Sequence, residues 1–236
     1  MKGLVETLLI GSLFSMTGIK AAVSAARPAG SPPVLRFQIV HTDKWFRSHH
    51  IHALLPYPVI TGMRDLQVER EVNRNLRDAC PPGGMAGYLR SEMARPNPNE
   101  VIHMDGYSSV KLLRGHFMSV YYEETDFPTR NGEFIRDSNI NRSYSSITVD
   151  LRTGRVVHLS DLFHSLGWRD KLDSLIVREV RRTVDWMDES SVRESVEKHL
   201  YDFYLTGDKI YIYNIFNQHA GAGFEVAISR QAVWGL

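Results

Sequence analysis

The stretch at residues 144–159, YSSITVDLRTGRVVHL, carries the clearest β-hairpin signal in the chain. β-Branched and other apolar residues dominate 147–151 and again 155–159, as is typical of strands. Gly154 ends the intervening Arg-Thr-Gly segment, where a residue without a side chain lets the backbone reverse. The pattern therefore predicts two antiparallel strands joined by a turn at residues 152–154.

Further strand signals flank this hairpin on both sides. Segment 101–124 has strand character on either side of a turn at Arg114-Gly115, and a Gly207-Asp208 turn separates two late strands. The remaining strands are predicted at residues 34–40, 49–60, 201–206, 209–216 and 224–228.

Helical periodicity occurs in three places. Asp65 is a suitable N-cap for a first helix whose apolar residues recur at spacings of three and four, and which ends at Cys80 because two prolines follow. A second amphipathic helix covers 172–184, and a third begins at Ser191, where Glu194 completes a capping box. The apolar positions of the first helix are Val68, Val72, Leu76 and Ala79.

The order of these elements decides the fold class. Helices are grouped between runs of hairpin strands and do not alternate with single strands. We therefore predict a single-domain α+β fold with a mainly antiparallel sheet and two to three packed helices.

Composition restricts the function classes. The 236 residues include 28 Lys plus Arg and 27 Asp plus Glu, so the chain lacks the basic excess that backbone-led nucleic-acid binding needs. With one cysteine, the chain forms no internal disulfide and no multi-cysteine zinc site. We predict no nucleic-acid partner, no metal and no cofactor.

The first residues have the pattern of an export signal. Lys2 precedes an apolar stretch at 8–19, and Val23-Ser24-Ala25 places small residues where signal peptidase needs them. We predict a signal peptide at 1–25, a tether and first strand region at 26–48, and the main domain at 49–236. The apolar stretch is shorter than a spanning helix and none follows it, so we expect an extracytoplasmic protein without a transmembrane segment after cleavage.

Three groups of residues are candidates for catalysis. His50 and His52 are spaced to share one face of a strand and could hold a metal ion, although a third ligand is not evident. Cys80 has no family signature around it, and the neighbours Glu123 and Glu124 point to opposite sides of a strand. A metal-dependent or carboxylate-based cell-wall hydrolase stays open as the alternative function.

A binding edge is predicted at the strand 209–216 and the polar loop after it. Rigid aromatic rings supply contact area, and a glycine-rich polar loop supplies adaptable hydrogen bonds. An ordinary core strand followed by a hairpin loop would give the same pattern. The candidate ligand-binding residues are Tyr211, Tyr213, Phe216, Asn217, Gln218 and His219.

Several motifs together resemble a known family. They are YPVITG at 57–62 followed by a helix carrying Asn73, then VDLRTG at 149–154 with LSDLF at 159–163, and FYLTGDKI at 203–210. In this order they resemble the extracytoplasmic domain of anti-sigma-V factors, which also occurs beside some secreted polysaccharide deacetylases. The resemblance covers residues 49–236 as two interleaved halves, about 49–125 and 140–236.

The resemblance implies a sensing or binding module outside the cytoplasm, which in the anti-sigma-V proteins binds lysozyme and catalyses nothing. We therefore expect a secreted or envelope-associated, non-catalytic module that binds a cell-surface protein or a peptidoglycan-type glycan. A purely structural domain that assembles with itself or a neighbour fits the sequence equally well, and the oligomeric state stays open. The near-zero net charge predicts only modest salt dependence of binding.

Overall fold

The chain forms an α+β fold in which strands outnumber helices. The computed structural model describes residues 35–47, 50–80, 99–135, 140–163, 166–183, 189–198, 202–215 and 224–234. All of these residues belong to one compact unit. The predicted fold class is confirmed.

Six strands of the described residues form the large sheet. Its order is β1-β2-β3-β4-β5, and β6 also pairs with β4. Among these described strands, β2 and β3 are parallel and all other neighbours are antiparallel. The strands are β1 (Arg36–Phe46), β2 (Ile51–Thr61), β3 (Glu100–Arg114), β4 (Phe117–Arg130), β5 (Glu133–Phe134) and β6 (Asn141–Asp150).

Three strands of the described residues form a second, antiparallel sheet in the order β7-β8-β9. They are β7 (Asp202–Leu205), β8 (Lys209–Tyr213) and β9 (Glu225–Ser229). The helices are α1 (Leu66–Asp78), α2 (Trp168–Thr183), α3 (Glu189–Lys198) and the one-turn α4 (Arg230–Trp234). No described helix is both long and apolar enough to cross a bilayer.

The stretch at 144–159 reverses direction as predicted, but its second arm pairs with the first over only a short length. Its first arm is the end of β6, and its second arm makes a single bridge, Val149 to Val156, with Val157 N donating to Thr148 O at 2.8 Å. A 3₁₀ helix (Leu159–Leu162) then replaces the predicted strand end. The Asp161 carboxylate accepts from His158 N at 2.8 Å, and this contact stabilises the start of the helix.

Two features require glycine at position 154: its positive φ and the close approach of Glu71. Its φ is +76°, and a Cβ placed there would lie 2.9 Å from Glu71 Cβ on α1. We expect Gly154→Ala to lower the free energy of unfolding by about 2 kcal/mol, because alanine is strained at positive φ and the helix must move. Urea unfolding measures this. A matched Gly115→Ala change, where φ is +65° and nothing lies within 4 Å, should cost less, and equal losses would contradict the packing argument.

Helix α1 follows the sequence closely. The Asp65 carboxylate accepts hydrogen bonds from Gln67 N at 2.7 Å and Val68 N at 3.2 Å, as expected for an N-cap. Val72 and Leu76 are completely buried against the large sheet. The predicted cap and apolar face of this helix are confirmed, although its last helical residue is Asp78.

Two local predictions differ from the structure. Helix α3 already begins at Glu189, so Ser191 lies inside the helix and is not at its predicted N-cap position. Strand β8 ends at Tyr213, because Asn214 takes a positive φ of 56° that breaks the extended backbone.

The central part of the large sheet is covered on both faces. Met118 and Val120 of β4 pack with α1 in one core cluster. The intervening Ser119 faces the other way, and its Oγ accepts from Leu205 N of β7 at 2.9 Å. The small sheet in turn packs its other face on α2 in a second core cluster.

Candidate functional site

The structure gives different surroundings to the two described residues of the predicted binding edge. Tyr213 is only 1% exposed, whereas Tyr211 is half-buried and keeps part of its ring at the surface. Phe216, Asn217, Gln218 and His219 lie outside the described residues. The ligand-binding role of all six residues stays a prediction.

Tyr211 and Tyr213 belong to a group of five rings that we call the tyrosine cluster. Cross-strand neighbours Tyr204 and Tyr211 stack with their centroids 4.8 Å apart. Tyr121 of the large sheet meets Tyr204 edge-on at 5.2 Å, so the cluster joins the two sheets. Its members are Tyr121, Tyr144, Tyr204, Tyr211 and Tyr213.

Polar groups hold the tyrosine cluster in place. Tyr213 Oη donates to Ser146 Oγ, and Tyr204 Oη donates to Glu225 Oε2, each at 2.8 Å. Lys111 Nζ lies over the Tyr204 ring, 5.2 Å from its centroid. Burial raises the pKa of both Tyr204 and Tyr213 well above the usual range, so these phenols are neutral at physiological pH.

The same face of the large sheet continues beyond the tyrosine cluster. Side chains of directly paired residues share one face, so the register places successive rows there. We call the following eight residues the open face: Asp43, Trp45, His52, Leu54, His103, Asp105, Tyr107 and Phe127. Tyr107 is 61% exposed and Trp45 is 54% exposed, so the aromatic surface faces solvent.

Rings run across the strands of the open face in one row. The Trp45 and His52 rings stack with centroids 4.3 Å apart. His103 meets His52 edge-on at 5.4 Å and stacks with Phe127 at 5.5 Å. Burial and, to a lesser extent, the neighbouring His52 lower the pKa of His103, which favours its neutral form.

Carboxylates border the row of rings. Asp43 and Asp105 occupy the next row on either side of Leu54, and both are exposed. Asp43 Oδ1 lies 2.9 Å from His52 Nε2, and Glu123 is paired with Tyr107 in the following row. Arg142, the β6 residue paired with Thr125, brings a positive charge to the same side. Aromatic rings and acidic groups thus alternate over an exposed sheet surface.

The two candidate metal-binding histidines make different contacts. His50 precedes β2 at a φ of 51°, with Nδ1 at 3.3 Å from Glu100 O. The His52 ring instead contacts Trp45 and Asp43. Among the residues that the structure describes, no three His, Cys, Asp or Glu side chains are grouped as metal ligands.

Of the remaining catalytic candidates, Glu124 and Cys80 lie on the side of β4 opposite the open face. Glu124 is buried there, whereas its neighbour Glu123 is half-exposed on the side of the open face. Burial, followed by repulsion from Asp126, raises the pKa of Glu124 to about 7. Cys80 Sγ donates to Pro56 O at 3.1 Å, and burial raises the pKa of this thiol to about 12, so it carries little nucleophilic thiolate.

Comparison with known proteins identifies the fold through structure. No protein-family model matches the sequence, and no curated protein matches it. A solved structure from Bacteroides fragilis, described as a member of the DUF3298 family, aligns with a TM-score of 0.54 over 85% of this chain and 92% of that chain, at 14% identity. The chain shares the fold of a DUF3298 protein.

A DUF3298 family protein from Pseudomonas aeruginosa is also similar, with a TM-score of 0.43, 14% identity, and coverage of 86% of this chain and 93% of that chain. DUF3298 is a domain of unknown function, and the likeness to the Bacteroides fragilis protein concerns the fold alone.

Sequence reasoning missed the open face. Trp45, His52, His103 and Phe127 come from four different strands, and only the strand register brings their rings together. One signal was present in the sequence. Polar or aromatic side chains recur at every second residue, at Asp43 and Trp45 and again at His103, Asp105 and Tyr107. Residues two positions apart share one face of a strand.

Proposed function

We propose that this chain is a non-catalytic binding module of the extracytoplasmic space, and that its open face binds a cationic segment of a cell-surface protein. The observation that carries the proposal is the exposed row of rings bordered by carboxylates. The export pattern at residues 1–25 and the resemblance to an extracytoplasmic lysozyme-binding domain support the location and the class of ligand.

Lysine and arginine side chains suit both components of the open face. A guanidinium or ammonium group is attracted to the face of an aromatic ring and pairs with an adjacent carboxylate. Trp45 and Tyr107 are the most exposed rings of this face, and Asp43 and Asp105 lie in the row between them. One class of ligand side chain therefore accounts for the rings and the acids together.

The contacts of His50 and His52 favour binding over the alternative hydrolase. His50 and His52 make separate contacts: the His52 ring stacks on Trp45 and its Nε2 faces Asp43, whereas His50 Nδ1 faces Glu100 O. Binding on the open face uses these contacts as they stand, because the exposed side of Trp45 is accessible.

Replacing Trp45 by alanine tests the proposal. We expect affinity for hen lysozyme, used as a basic protein probe, and for an arginine-rich peptide to fall about tenfold, as is common for an exposed aromatic anchor. Calorimetric titration of the purified chain measures this. Leu66→Ala is the matched control, because Leu66 is 67% exposed on α1, away from the open face.

The outcome separates the possible ligands. Equal loss in both variants, or none in either, would contradict a role for the open face. Binding to peptidoglycan fragments without binding to the two basic probes would replace the protein ligand with a glycan. Tyr211→Ala in the same assay tests the edge predicted from sequence.

Salt dependence gives a second readout. The near-zero net charge predicts modest salt dependence, but Asp43, Asp105 and Glu123 cluster on the open face. For a ligand bound there we expect stronger salt dependence, because nearby charges affect a contact more than the net charge does. Affinity for the arginine-rich peptide should fall as ionic strength rises, and Asp105→Asn should weaken that dependence.

A further inference from the structure

A cleft of about 620 Å³ lies beside the turn that follows β6, and we call it the turn cleft. Helix α1 contributes Glu71 and Asn75 to its wall, the turn contributes Asp150, Arg152 and Arg155, and the 3₁₀ helix contributes Asp161. Its volume falls within the range of about 300 to 1,000 Å³ that is typical of small-molecule sites.

Hydrogen bonds fix the wall of the turn cleft. Arg152 forms a bidentate pair with Asp150, with Nη2 at 2.7 Å from Oδ2 and Nε at 3.2 Å from Oδ1. This pairing lowers the pKa of Asp150 below its usual value. Asn75 Nδ2 donates to Gly154 O at 2.8 Å and ties the turn to α1. A ligand would therefore meet polar groups that are already oriented, which reduces the entropy cost of binding.

The charges that line the turn cleft nearly cancel. Arg152 is paired with Asp150, and Glu71 is paired with Arg74 at the helix surface. Among the described residues of the lining, the other Arg, Lys, Asp and Glu side chains are Arg155 and Asp161, beside the imidazole of His158. An ionic ligand would thus meet repulsion as well as attraction. A neutral ligand rich in hydroxyl groups can donate to the carboxylates and accept from the guanidinium groups.

We propose that the turn cleft binds a short neutral glycan, a mono- or disaccharide. Planar side chains such as Asp, Asn and Arg can bond two neighbouring hydroxyls at once, and five of the lining residues named above are of these types. Phe117, a half-buried ring in the same lining, offers apolar surface to the C–H face of a sugar. This site is independent of the protein ligand proposed for the open face.

Titrations followed through backbone amide NMR resonances test the proposal. The probes are cellobiose, the β-1,4 disaccharide of N-acetylglucosamine, inorganic phosphate and spermidine, each added to the full chain. We expect at least one disaccharide to shift the amides of Thr153, Gly154 and Arg155 with a millimolar Kd. Arg155→Ala should weaken that Kd about tenfold, in keeping with the loss of a charged hydrogen bond.

Arg70→Ala is the control, because Arg70 is an exposed arginine of α1 outside the cleft lining. A Kd unchanged by Arg155→Ala, or weakened equally by Arg70→Ala, would overturn the site. Tighter binding of phosphate or spermidine than of either disaccharide would overturn the neutral ligand, and so would the absence of shifts with both sugars. Dispersed amide resonances in each variant show that the protein is still folded.

Discussion

Glu124→Gln is expected to raise the free energy of unfolding at pH 8.5 by up to about 3 kcal/mol, while changing it little at pH 4. Glu124 is a buried carboxyl on β4 whose pKa is raised from 4.5 to about 7, mainly by burial and then by Asp126. Glutamine keeps the shape of the protonated carboxyl and cannot ionise. The substitution therefore removes a penalty that exists only at higher pH.

The direction follows from proton binding in the two states. Below pH 4.5 the carboxyl is protonated in both the folded and the unfolded chain, so the side chain adds no pH dependence. Between pH 4.5 and 7 only the folded chain keeps the proton, so rising pH favours unfolding. Above pH 7 both states are ionised and the folded state carries the full cost of a buried charge.

Urea unfolding from pH 4 to 8.5 measures this effect as the difference between the wild-type and Glu124→Gln curves. Glu123→Gln is the matched control, because it removes the adjacent carboxyl from the half-exposed side of the same strand. Parallel curves for wild type and Glu124→Gln would mean that the carboxyl ionises freely in the folded protein, contrary to its burial.

Local elements could be predicted from the sequence because their causes are local. Asp65 caps α1 through hydrogen bonds to residues two and three positions ahead, and Gly115 adopts the positive φ that the tight β3–β4 connection requires. The spacing of Val72 and Leu76 likewise needs only helical geometry to place both on one face. Each of these signals lies within a few residues.

Sheet pairing could not be predicted in the same way. The parallel contact of β2 with β3 and the pairing of β4 with β6 join segments that are distant in sequence. The alternation within one strand shows which side chains share a face, but it does not identify the neighbouring strand. The open face depends on those neighbours, so its row of rings was visible only after the register was known.

In the predicted binding edge, too, the sequence pattern indicates which side chains of a strand share a face but not what packs against them. The pattern of β8 placed Tyr211 and Tyr213 on one face, and the register agrees, because Tyr211 pairs with Tyr204 and Tyr213 with Asp202 in adjacent rows. The sequence did not reveal that Tyr121 from the large sheet packs against Tyr213 and buries it. Two tyrosines two residues apart therefore differ in what a substitution should do.

Tyr213→Ala is expected to lower the free energy of unfolding by about 4 kcal/mol, which is the range for removing a large ring from a core. The ring is 1% exposed and meets Tyr121 edge-on, with centroids 5.5 Å apart. Its hydroxyl donates to Ser146 Oγ at 2.8 Å, so the alanine variant loses a hydrogen bond and leaves a cavity between the sheets. Urea unfolding monitored by tyrosine fluorescence and circular dichroism measures the loss.

Two further variants distinguish the contribution of the buried Tyr213 ring from that of its hydroxyl and from that of a half-exposed ring. Tyr213→Phe keeps the ring and should cost only about 1 kcal/mol, the value of one hydrogen bond. Tyr211→Ala removes a half-exposed ring and should also cost about 1 kcal/mol, because less apolar area leaves the core. If Tyr213→Ala costs no more than Tyr211→Ala, the ring does not join the two sheets in solution.

This difference in cost decides how the predicted edge can be tested. The free energy of unfolding of a typical domain is about 5 to 15 kcal/mol, so Tyr213→Ala is expected to remove a large part of it. A loss of ligand affinity in that variant would therefore reflect partial unfolding. Tyr211→Ala removes the half-buried ring of the same strand face and is expected to leave the fold intact. Reduced affinity in Tyr211→Ala with unchanged affinity in Tyr213→Phe would therefore assign the contact to the surface of β8, because the buried ring is intact in both proteins.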